Sequence, residues 1–86
     1  MESNPILKQV ILEVVDNQLR NNAPAETKQT YERLLGEGHS VSEAKRLIGC
    51  VVAVEIFDVL KNKERFDRQR FIAALNRLPK VPRQEG

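Results

Sequence analysis

A chain of 86 residues, 41 % of them apolar and 30 % charged, holds one domain, and at that size it buries only about 60–65 % of its unfolded surface. A single cysteine excludes an internal disulfide, and no Cys/His spacing suits zinc. A formal charge of +2 is too small to argue by itself for any class of partner.

The first residues, Met1 to Pro5, lack the basic and apolar regions of a secretory signal, so a reducing, cytoplasmic setting is expected. Asn4 and Pro5 suit the N-cap and first position of a helix over 5–20. Along it Ile6, Leu7, Val10, Ile11, Val14, Val15 and Leu19 recur at helical spacing, with Glu13, Asp16, Asn17 and Gln18 off the stripe. Asn21-Asn22-Ala23-Pro24 breaks the chain, since Asn and Pro both favour turns. A second helix is predicted over 24–36, with a thin apolar stripe of Thr27, Tyr31, Leu34 and Leu35 and a solvated face of Lys28, Gln29, Glu32 and Arg33.

The third element is the axis of the chain. Ser40 and Glu43 have capping-box spacing, in which each side chain satisfies an orphan N–H of the first turn. Gly38 before them lets the chain reverse, and Asn62 tolerates the left-handed conformation that ends a helix. The predicted helix covers 41–61. On a wheel, Ala44, Leu47, Ile48, Val51, Val52, Val54 and Val59 fill one arc, while Cys50, Ala53, Ile56, Phe57 and Leu60 spread apolar character over much of the rest. A helix apolar on most sides needs cover on most sides. Glu55 and Asp58 interrupt the run, which is too short to cross a membrane. A fourth helix is predicted over 68–78, capped by Asp67 and stapled by Phe66 against Phe71, with Phe71, Ile72, Leu75 and Leu78 facing inward. Pro79 and Pro82 end it, so residues 1–79 form the expected domain and 80–86 an expected flexible tail. The fold class is all-α: a small four-helix bundle with short loops, helix 3 covered by helices 1, 2 and 4. The covering faces look barely sufficient, which favours a homodimer.

Glu55 is the residue of most interest. It falls inside the main apolar arc, where a carboxylate must be paired, hydrogen-bonded or near an opening. The plain reading is an ion pair or hydrogen bond to Arg33, Lys28, Tyr31 or a charged group on helix 1 or 4. The functional reading is a ligand-binding or enzymatic site centred on Glu55. Glu13-x-x-Asp16 and Glu55-x-x-Asp58 are i, i+3 carboxylate pairs, but the one histidine, His39, stands in a turn, so no metal site is expected. His39 has no nucleophile beside it, and Cys50 reads as a small helical hydrophobe. No catalytic constellation and no cofactor motif is present.

Charge is uneven along the chain. Residues 1–60 hold six Lys/Arg against nine Asp/Glu, and residues 61–86 hold eight against three. Lys61, Lys63, Arg70, Arg77, Lys80 and Arg83 form a candidate basic patch, with Arg70 and Arg77 sharing the outer face of helix 4. Such a patch suits solvent, an acidic protein partner or nucleic acid. No aromatic side chains interleave it for single strands.

Tyr31-Glu-Arg-Leu-Leu-Gly-Glu-Gly38, Glu43-Ala44, Glu55-Ile-Phe-Asp-Val-Leu60, Phe66 to Phe71 and Leu75 to Pro79 together resemble a family of small bacterial all-helical domains with no assigned activity, over residues 24–79. The resemblance implies a bacterial, cytoplasmic, α-helical protein and supplies no site residues. The expected function is a protein-interaction or self-association module without catalysis. The alternatives are a nucleic-acid-associated regulator using the basic C-terminal region and an activity at Glu55.

Overall fold

A computed structural model describes residues 5–63 and 65–81 of the chain. Four helices follow in order: α1 (Pro5–Asn21), α2 (Ala25–Gly36), α3 (Val41–Asn62) and α4 (Arg68–Arg77), with no strand among the described residues. The expected cap Asn4 lies outside them.

Each boundary has a local cause. α1 and α2 both end in a Schellman turn, in which two backbone N–H groups close back on the last carbonyls around one left-handed residue. After α1 that residue is Asn22 (φ 53°), with Ala23 N–H bonding Gln18 O at 3.1 Å and Asn22 N–H reaching Leu19 O at 3.4 Å. After α2 it is Gly38 (φ 102°), with His39 N–H on Leu34 O and Gly38 N–H on Leu35 O, both at 3.1 Å. Ser40 caps α3 by accepting the Glu43 N–H at 3.0 Å. The capping box is only half made, because both oxygens of Glu43 bond Arg46, at 2.7 and 3.2 Å. α3 runs one residue further than expected: Asn62 stays helical and Lys63 takes the left-handed position (φ 56°). Asp67 caps α4 by accepting the Arg70 N–H at 3.0 Å, and Phe66 packs on Phe71 with ring centres 5.5 Å apart, the expected staple. α4 stops at Arg77, and Leu78 turns extended (ψ 143°) while remaining buried.

α3 is 22 residues long, roughly 33 Å, which matches the 34 Å long dimension of the protein. It touches α1, α2 and α4, and α2 also touches α1 and α4, but α1 and α4 do not meet. α1 and α3 run in opposite senses, since Asp16 pairs with Lys45 while Leu7 shares a groove with Phe57. Gly49 lies at their crossing, where an added Cβ would stand 3.3 Å from Ile11 Cγ2. The core consists of Val15, Leu34, Ala44, Leu47, Ile48, Val51, Val52, Phe71, Leu75 and Leu78.

Two wheel readings change. The stripe of α1 is not covered along its length: Val15 is buried, but Ile6, Leu7 and Val10 are exposed. In α3, Glu55 and Asp58 are buried within the main arc, whereas Val54 and Val59 are only half-buried and Ile56, Phe57 and Leu60 face outward. The C-terminal half of α3 is therefore left uncovered on the side of Ile56, Phe57 and Leu60. The chain stays on the body of the protein to the last described residue, since Lys80 N–H bonds Arg77 O and Val81 packs against the core. Residues 82–86 of the expected tail lie outside the described residues.

Candidate functional site

The gap between α1 and α4 leaves a trench whose floor is the last three turns of α3. One part, about 290 Å³, lies between Val14 and Gln18 of α1, the Val52–Leu60 stretch of α3, and the Phe66/Phe71 staple. A second part, about 480 Å³, lies between Leu7 and Ile11 of α1 and the Ala53–Leu60 stretch. Ile56 and Leu60 line both, so the two are neighbouring halves of one apolar surface.

Glu55 forms the polar point of the first half. Its residue is only 6 % exposed. Three donors converge on its carboxylate: Arg70 Nε on Oε1 at 3.1 Å, Arg70 Nη2 on Oε2 at 2.9 Å, and Asp67 N–H on Oε2 at 3.1 Å. The arginine fork matches the carboxylate with two parallel bonds, the stronger class of ion pair. Arg70 retains 40 % side-chain exposure, so the pair is buried at one end and screened at the other. Asp67 closes the circuit by accepting Arg70 N–H, so one cluster holds α3 to the first turn of α4. The partner of Glu55 is thus the charged group on helix 4, and Arg33, another of the named candidates, is engaged elsewhere. Arg33 donates to the Leu75 carbonyl, in the last turn of α4, at 3.1 Å and pairs with Glu37 at 3.0 Å, which places a cation at the negative end of α4.

The remaining candidates are dispersed. Arg70 is turned onto Glu55, which removes it from a purely solvated face shared with Arg77. Lys61 lies over the Phe57 ring, 5.8 Å from its centre. Lys63, Arg77 and Lys80 are exposed, and Arg83 lies outside the described residues. Glu13 is exposed and Asp16 pairs with Lys45 at 2.9 Å, so the two carboxylate pairs do not assemble; no group of three metal-ligating residues occurs among the described residues. His39 and Cys50 are half-buried. Thr27, placed on the thin stripe of α2, is buried and donates its hydroxyl to Gln18 Oε1 at 3.0 Å; sequence reasoning missed that bond and the burial of Thr30, whose spacing of three from Thr27 was the available signal.

Two surface pairs shift titrations. The bond from Arg46 holds Glu43 below the ordinary carboxylate value, and the bond to Asp16 raises Lys45. No helix of the described residues is long and apolar enough to cross a membrane. No protein-family model matches the chain, and no curated protein or solved structure is significantly similar to it.

Proposed function

We propose that this protein is a small interaction module, acting by association through the open side of α3 and with no catalysis of its own. The observation that carries the reading is the exposed apolar surface there: Phe57 is 56 % exposed, Leu60 73 % and Phe66 53 %, beside an equally open Leu7. Scattered apolar side chains are ordinary on a surface, whereas a contiguous group along a trench marks an association site. The absence of catalysis rests on Glu55, the carboxylate nearest the trench, which is already taken up by Arg70 and the Asp67 N–H. A nucleic-acid reading would draw on Lys63, Arg77 and Lys80. It has less support, because Arg70 and Lys61 are both directed at groups of the protein itself.

The test is a pair of substitutions, Phe57→Asp with Leu60→Asp. Dilute protein should keep its helical circular dichroism and its urea midpoint, while binding of an apolar dye falls. If the variant unfolds instead, both side chains belong to the fold and the reading ends.

A further inference from the structure

Along the open side of the C-terminal half of α3 stand the exposed Ile56, Phe57 and Leu60 and the half-buried Ala53. Their spacing is i, i+3, i+4, i+7, the seam of one helix packing along another. The pattern is the same read in either direction. Laid antiparallel on itself, it sets Ile56 against Phe57 of the other copy and Leu60 against Ala53, a large side chain opposite a small one. The hollow for that large side chain is present, because the 480 Å³ half of the trench is lined by Leu7, Ile11 and Ala53.

We infer that the occupant of this surface is a second copy of the chain, joined by antiparallel packing of the two α3 helices about a two-fold axis between Ile56 and Phe57, with Leu60 of each copy seated beside Ala53 of the other. This rests on the interaction reading above and names its partner. Area supports it. From the fractional exposures of Leu7, Ile56, Phe57, Leu60 and Phe66, the patch offers roughly 500–600 Å² per copy, with full side-chain areas of about 150–250 Å² for the aromatics. That is at the top of what a monomer ordinarily exposes, and two copies together reach about 1,000–1,200 Å², the lower bound of a specific interface. A net +2 opposes association only weakly. An interface of that size gives a reversible dimer rather than a permanent one.

Sedimentation velocity of the wild-type chain across micromolar concentrations should show a monomer–dimer exchange, and Leu60→Asp should weaken it about a hundredfold or more, since each dimer loses the anchor twice. Register is tested separately in a Cys50→Ala background. Under mild oxidation, an equimolar mixture of Ala53→Cys and Leu60→Cys chains should link 53 to 60, and Leu60→Cys alone should link poorly to itself. A wild-type chain that stays monomeric at high micromolar concentration overturns the inference; if an apolar dye then still binds and Leu60→Asp removes it, the interaction reading survives with another partner. Preferential linkage of 60 to 60 overturns the antiparallel packing. An unfolded Leu60→Asp chain overturns both readings together.

Discussion

Glu55 and Arg70 are unequal members of one ion pair, and the inequality predicts which of them the fold can spare. The arginine leaves 40 % of its side chain in water, while the carboxylate leaves 7 %. Arg70→Ala strands a buried charge with one remaining donor, the Asp67 N–H, and should cost about 2–3 kcal/mol in urea unfolding. Glu55→Gln keeps an oxygen for that N–H and frees Arg70 to extend into solvent, so its cost should be about 1 kcal/mol. Equal losses would mean that the pair acts only as a surface contact. Glu43 offers a second residue-scale test, through pH. Its carboxyl is held low by Arg46, so its contribution is present above the unfolded carboxylate value and is lost as pH falls through the lower folded value. The difference in melting midpoint between wild type and Glu43→Gln should therefore shrink on acidification through that range and be flat around neutrality. A gap that widened instead would put the sign of the linkage in error. For Lys45, raised by Asp16, the sign is opposite: its contribution persists through neutrality and is lost only as pH rises through its folded value.

At the scale of elements, Gly38 carries the turn that sends α2 into α3. A Cβ there meets no atom within 4 Å, so the only objection to a side chain is the backbone, at φ +102°. Gly38→Ala should lose about 1–2 kcal/mol by thermal or urea unfolding, whereas Gly36→Ala, inside α2 and equally uncrowded, should be neutral or gain up to about 1 kcal/mol. The contrast separates conformation from packing. It also marks what could be read from the chain. Ser40, Asp67, the Phe66–Phe71 staple and Gly38 each act on residues within five positions, so their geometry follows from spacing alone. Arg33 on Leu75 O, Thr27 on Gln18 and Arg70 on Glu55 depend on how two helices cross, which spacing does not determine. The half-made capping box shows the limit even of local signals. Glu43 had the right position, but Arg46 three residues on competed for its carboxylate, as an ion pair does more strongly than a neutral N–H.

For the whole molecule, the wheel of α3 correctly demands cover on most sides, yet it cannot say where three helices fail to supply it. That depended on α1 and α4 not meeting, a property of the assembled bundle. The consequence is an 86-residue protein with a modest core and an open apolar seam, whose stability should depend on its own concentration. A dimer that forms only from folded chains draws the folding equilibrium toward itself by mass action. Above the dissociation constant, each tenfold rise in concentration should add several tenths of a kcal/mol per chain, and the melting midpoint should climb by about 2–5 °C. Leu60→Asp should melt at one temperature at every concentration, and that temperature should match wild type at its most dilute. Coincidence at dilution is the stringent part, because Leu60 is 73 % exposed and its loss should cost the isolated chain almost nothing. Were the variant less stable than wild type even there, Leu60 would be supporting α3 within a single chain, and the seam would be a flank of the core.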